Sequence, residues 1–201
     1  SFQQRVDRVK LTAIFLWFGI IITLLVGLNP PNSDGYRHYL FILPPVFLFA
    51  GMGLNEIVKR ARFRWMQIGL VALILFPAIF NNIMLHPYQY TYYNSFAGGT
   101  QSAFRNYETE YWLTCYKEAM EAFNKEAPPN ARIYIKREPH IAAYYARSDI
   151  SVLDYRTDFK FAQSGDYLLV NSRTNEDIKT LRGAPILLEV GREGAVFCVV
   201  K

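Results

Sequence analysis

The stretch MQIGLVALILFPAIFNNI, residues 66–83, carries no charge, and it runs into His86-Pro87-Tyr88-Gln89-Tyr90, after which charged residues recur every few positions. A helix needs roughly 17 to 25 apolar residues to cross a bilayer core, so this stretch reads as a membrane span and His86 as its exit. Working back toward the N-terminus, residues 39–54 and 11–28 form two further charge-free runs of similar length. The chain therefore divides into a membrane region, residues 1–85 with spans at about 11–28, 39–54 and 66–83, and a polar remainder.

Charge separates the two parts. Eight basic and three acidic residues precede His86, and fourteen of each follow, so the net charge of +5 belongs to the membrane region. The basic balance thus gives no argument for nucleic acid. Arg5, Arg8 and Lys10 precede the first span, and Lys59, Arg60, Arg62 and Arg64 lie between the second and third; the loop between the first two spans holds Asp34 and Arg37 alone. Basic clusters stay cytoplasmic, which predicts a multi-pass protein of the plasma membrane with everything after His86 outside the cytoplasm. A cleavable signal peptide fits the first run poorly, because Val26-Gly27-Leu28-Asn29-Pro30 is a weak cleavage site. The chain opens on Ser1 in a segment with cytoplasmic character, which predicts further spans upstream.

Pro44-Pro45 and Pro77 remove backbone donors and predict kinks in the second and third spans, which then need neighbouring helices to pack against. Beyond the exit, residues 86–112 form an aromatic juxtamembrane segment. Residues 113–201 read as a small extracytoplasmic α/β domain. An amphipathic helix over 111–127 presents Tyr116, Ala119, Met120 and Phe123 on one face and stops at Pro128-Pro129. Strands are predicted at 132–136, 150–153, 167–171, 186–190 and 196–200, with helical composition at 140–146 and 175–181 between them. That alternation predicts a mainly parallel sheet, closed by a hairpin whose turn is Gly191-Arg192-Glu193-Gly194. Cys115 and Cys198 both fall in this outer domain, where oxidising conditions permit a disulfide; the alternating run 195–200 favours a buried structural thiol at Cys198.

Two groups of residues could carry chemistry. In Asp34-Gly35-Tyr36-Arg37-His38-Tyr39, the Arg37 guanidinium sits at headgroup depth, where it can bind a phosphate bidentately or merely anchor the helix end by snorkelling. His38 and Tyr39 flank it. The second group is His86 to Tyr93 with Asn94, then Gly98-Gly99, then Glu108-Thr109-Glu110-Tyr111-Trp112. Tyr92, Tyr93, Asn94, Glu108, Glu110 and Trp112 are candidates for acceptor or sugar contacts, set against an aromatic membrane belt for the tyrosines and a favourable helix N-terminus for the two acids. No phosphate-cradling glycine loop, metal-ligand spacing or nucleophile elbow is present.

This second group closely resembles the post-membrane segment of bacterial polytopic glycosyltransferases of the protein O-mannosyltransferase-like (GT-C) group. There a His-Pro-Tyr-x-Tyr exit and a Tyr-x-Asn precede Gly-Gly and an acidic-Tyr-Trp. Tyr36-Arg37-His38-Tyr39 to Pro44 also resembles the Arg-Tyr stretch that opens a late span in that group. Glu110 stands where Asp is commoner, and His38 where Tyr often follows the Arg. The resemblance covers about half the chain. It implies transfer of a sugar from a polyprenyl-phosphate donor to an acceptor on the extracytoplasmic face. Arg37 would hold the donor phosphate, and the catalytic base would be a carboxylate in a loop upstream of Ser1. Membrane lipid, the donor and upstream transmembrane helices of the same protein are the implied partners; a divalent cation in the full-length enzyme stays open. The alternative is a non-enzymatic, membrane-anchored module that binds a ligand or partner outside the cell. A transporter segment is disfavoured because no charge lies within any span.

Overall fold

A computed structural model describes residues 2–30 and 35–201, with side chains from Asp7 to Pro30 and from His38 onward. By packing, the chain forms two units that meet within the third long helix, residues 1–74 and 75–201.

In the first unit, α1 spans Phe2–Leu28 and α2 spans Leu43–Lys59. A 3-10 segment, Gly35–Ile42, leads into α2 and breaks regularity at Tyr39 (φ −118°, ψ 15°). Pro44 and Pro45 occupy the first turn of α2, where a missing N–H costs no intrahelical bond. The third helix, α3, runs Arg64–Met84 and continues through Pro77. Segments Asp7–Leu28, His38–Lys59 and Arg64–Met84 are long and apolar enough to cross a membrane, and almost none of their residues is buried within the protein. Side chains such as Phe15, Trp17, Phe47 and Phe76 thus present an apolar surface of the kind that lipid or other helices cover.

The second unit begins with the C-terminal half of α3 and continues through a short helix α4, Gly99–Ala103, to α5, Cys115–Glu126. There follow β1 (Arg132–Ile135), α6 (Pro139–Tyr145), β2 (Ser151–Asp154), α7 (Tyr155–Asp158), β3 (Tyr167–Asn171), α8 (Glu176–Lys179), β4 (Leu188–Arg192) and β5 (Ala195–Val200). The five strands lie in the order β2-β1-β3-β5-β4. The expected mainly parallel sheet is therefore corrected to a mixed one. β1 pairs in parallel with β2 and β3, whereas β5 is antiparallel to both β3 and β4. The cause is local. The α8 connection returns β4 in the direction of β3 but one position too far out, and the tight Glu193-Gly194 turn sends β5 back into the gap. At Gly191, where β4 bulges, any Cβ would collide with the Ala195 carbonyl oxygen.

Two apolar layers sandwich the sheet. On one face Ile133, Ile135, Leu169 and Phe197 pack with Tyr116, Met120 and Phe123 of α5 and Ala142 of α6. On the other, Tyr134, Leu168, Val170 and Val199 pack with Leu153, Tyr155 and Phe159. The first layer resolves the cysteines: Cys115, the first residue of α5, is bonded to Cys198 in β5, 83 residues on. The expected free buried thiol is thus a buried disulfide. Packing of α5 over β5 brings the two Cα atoms to 5.9 Å, a separation that sequence spacing alone does not reveal.

Candidate functional site after the third long helix

The segment after α3 is bolted to the α/β core rather than trailing along it. Tyr88 is fully buried, its ring 4.7 Å from that of Phe197, and its hydroxyl donates to Glu118 Oε2 at 2.9 Å. Arg192 closes on the same carboxylate with two N–H donors, at 2.8 and 3.2 Å, and lies over the Tyr88 ring. Burial opposes the charge on Glu118, and the hydrogen bonds from Arg192 and then Tyr88 outweigh it, holding its carboxyl below the usual range.

Further along, Asn94 caps a turn at Ser95–Ala97 by accepting from Ala97 N at 3.0 Å. Gly98 follows with φ 80°, and a Cβ there would strike the Ser102 side chain, so any other residue at Gly98 is strained both in its backbone and against its neighbour. Asn94 thus has a backbone role. Tyr93 stacks on Tyr107 at 5.8 Å and donates its hydroxyl to the Glu108 carbonyl at 2.9 Å; Tyr92 is half-buried beside it.

The two acids have different environments. Glu108 is exposed and paired with Arg173 at 3.2 Å. Glu110 is fully buried. Its Oε1 accepts from the Thr114 backbone N–H at 2.9 Å, just ahead of α5, and its Oε2 accepts a short hydrogen bond from the Tyr90 hydroxyl. Burial dominates: it pushes the Glu110 carboxyl up to about 7, against the pull of the bonds from Tyr90, Thr114 and Leu113. The same burial, with the Glu110 charge, pushes the Tyr90 hydroxyl upward. Glu110 fastens the juxtamembrane segment to the start of α5, and no open surface reaches it.

Trp112, by contrast, is 60% exposed and lines a cleft of about 580 Å³ beside His86 and Tyr88. His86 and Tyr88, Lys117, Glu118 and Glu121 of α5, and Tyr145 of α6 line it with Trp112. Sequence reading singled out Trp112 here but not Lys117, Glu118, Glu121 or Tyr145, because they fall on the polar side of an ordinary amphipathic helix and in a separate helix. The cleft does not include Tyr92, Tyr93, Asn94 or Glu108.

Of the residues expected at the donor phosphate, the Arg37 side chain lies outside the described residues. His38 is exposed and Tyr39 half-buried, in the first packing unit. Among the described residues no group of three or more His, Cys, Asp or Glu side chains is placed to hold a metal ion. No family model, curated protein or solved structure matches the chain.

Proposed function

We propose that this chain is the C-terminal part of an integral membrane glycosyltransferase that moves a sugar from a polyprenyl-phosphate donor to an acceptor on the extracytoplasmic face. The observation that carries the reading is the interlocking of the motif residues themselves. Tyr90 with Glu110, and Tyr93 with Glu108, join the His-Pro-Tyr exit to the acidic-Tyr-Trp sequence that follows Gly98-Gly99. The string on which the family resemblance rests is one packed structure, and it sets Trp112 on the rim of the cleft. The outer placement of residues 86–201 is supported by the basic clusters around Arg8 and Arg60 and by the Cys115–Cys198 disulfide, a bond that persists in oxidising compartments.

In this reading the acceptor hydroxyl attacks the anomeric carbon, with inversion, as the bond from that carbon to the phosphate oxygen breaks. The electron pair leaves on the phosphate, held by Arg37, and the hydroxyl proton passes to the upstream carboxylate. Glu110 is a positioning residue in this scheme: its burial keeps it from substrate, while its bonds set the start of α5, which lines the cleft.

The test is an assay of the full-length protein in membranes with a panel of labelled polyprenyl-phosphate sugars. Donor-dependent labelling of an acceptor is expected. Donor left intact across the panel would refute the enzyme and favour the membrane-anchored binding module.

A further inference from the structure

β1 and β3 are parallel neighbours whose connections leave in opposite directions: β1 leads through α6 to β2 on one side, and β3 leads through α8 to β4 on the other. Ligands of open α/β sheets bind outside the carboxyl ends of the strands at such a point. Among the described residues, the buried side-chain polar atoms without a hydrogen-bond partner are Arg137 Nε, Asn171 Oδ1 and Ser172 Oγ, and all three lie at or just past the carboxyl ends of β1 and β3. Buried polar groups are ordinarily paired, so three orphans at one edge of one sheet point to a partner from outside the chain.

A cavity of about 140 Å³ lies there, lined by Ser172, Thr174 and Asn175, which follow β3, and by Arg105, Glu108 and Thr109 of the segment before α5. Ser172 is 6% exposed. Three of these residues hold left-handed backbone, Arg105 at φ 76°, Thr174 at 55° and Asn175 at 59°, and for the β-branched Thr174 this is an outlier. Strain of this kind collects at ligand clamps. Arg105 and Asn175 brace each other: Arg105 Nη1 donates to Asn175 Oδ1 at 3.2 Å, and Asn175 Nδ2 donates to the Arg105 carbonyl at 3.3 Å. The lining is therefore fixed by the protein's own contacts.

Its chemistry selects among ligands. The charges are already paired, Arg105 bidentately with Asp177 and Glu108 with Arg173, so an ionic ligand would have to break a pair to bind. A hydroxyl both donates and accepts, and so suits the Ser172 and Thr109 hydroxyls and the Glu108 carboxylate alike. Phe104 and Tyr107 add aromatic surface to the lining, on which the C–H face of a sugar ring can rest. The volume falls below the ~300–1,000 Å³ of pockets for drug-sized ligands, which limits the occupant to one ring. We propose that this cavity at the carboxyl end of β3 is a subsite for one pyranose unit of a neutral saccharide, one of whose hydroxyls supplies the partner that Ser172 lacks while another donates to Glu108. The subsite rests on the glycosyltransferase reading only for the source of the saccharide, a neutral glycan on the acceptor side.

The experiment measures saturation transfer by NMR from full-length protein in lipid nanodiscs to the methyl glycosides of neutral hexoses and N-acetylhexosamines, with inorganic phosphate and glucuronate as anionic probes. Transfer to the ring protons of at least one neutral glycoside is expected. Ser172→Ala removes a buried hydroxyl that no protein group satisfies, so this variant should melt no lower than the wild type while the Kd for that glycoside rises about tenfold. Glu108→Gln should weaken it by a similar factor. Transfer to no neutral glycoside, or to the anions alone, overturns the inference. Binding that survives both Ser172→Ala and Glu108→Gln also overturns it, and loss in Trp112→Ala instead would place the sugar in the cleft. Because binding is read without any donor, a failure here leaves the glycosyltransferase reading to its own donor assay, and a failure of that assay leaves the subsite standing.

Discussion

Tyr90 and Glu110, twenty residues apart, share a hydrogen bond whose acceptor carboxylate also caps the backbone N–H of Thr114. With that carboxyl raised from its ordinary 4.5 to about 7, the folded protein holds a proton that the unfolded chain has already released across this pH window. Stability contributed by the site is therefore complete below about pH 4.5, falls as pH rises, and levels off above about 7, a loss of ~3 kcal/mol at most. Glu110→Gln retains an acceptor for Thr114 and a donor for Tyr90 and has no titration. Thermal melts from pH 5 to 8 should show the wild type losing stability relative to Glu110→Gln; parallel profiles would show that Glu110 does not titrate in this range.

The Cys115–Cys198 disulfide closes 83 residues and ties α5 to β5. Replacing both cysteines by serine should cost ~2–4 kcal/mol, chiefly by freeing the unfolded chain. In intact cells neither thiol should take up an alkylating reagent until a reductant is added. An impermeant thiol reagent should reach a Lys125→Cys variant but not a Lys59→Cys variant, and the opposite pattern would invert the proposed topology.

Arg105 makes a bidentate pair with Asp177, at 2.7 and 2.6 Å, and joins the segment after α4 to α8. Asp177 is almost fully buried while Arg105 remains about one-third exposed, so Asp177→Ala should destabilise by ~2 kcal/mol, less than a wholly buried pair would. Asp177→Asn should fall between the two. A melting temperature unchanged in both would make the pair incidental.

Arg37 carries the donor side of the proposal. Arg37→Ala should reduce transfer ~10- to 100-fold, the loss expected of a charge-assisted contact worth ~1.5–3 kcal/mol, without affecting membrane insertion. Arg37→Lys keeps charge but loses the planar fork and should weaken donor binding. Wild-type turnover in Arg37→Ala would leave it as a helix anchor.

The three long apolar helices were legible because uncharged runs of 16 to 18 residues have few other uses, and the apolar helical segments extend each run by only a few residues into charged flanks such as Arg64. Strand positions were legible from β-branched runs such as Tyr167–Asn171, whose bounds coincide. Pairing was not, since four strands do share a direction and only the insertion of β5 makes the sheet mixed. The helix expected from Tyr111 begins at Cys115 because Leu113 is held at φ 61° and Glu110 caps Thr114. In the site, Trp112 was visible as an aromatic in a motif. Glu118 was not, because its partners Tyr88 and Arg192 are 30 and 74 residues distant. Long-range partnerships of this kind leave no trace in local pattern.

Gly98 and Gly191 are constrained from different sides, one by its own backbone angle and a neighbouring side chain, the other by a carbonyl across a bulge. Neither constraint depends on substrate. A saturation library across this chain should therefore be depleted at these two positions under selection for folding alone, while changes at Trp112, Lys117 and Glu121, all exposed, should be tolerated there and depleted only under a selection for the proposed transfer. Comparing the two selections would separate residues that hold the scaffold from residues that serve the proposed transfer, without the substrate having to be identified first.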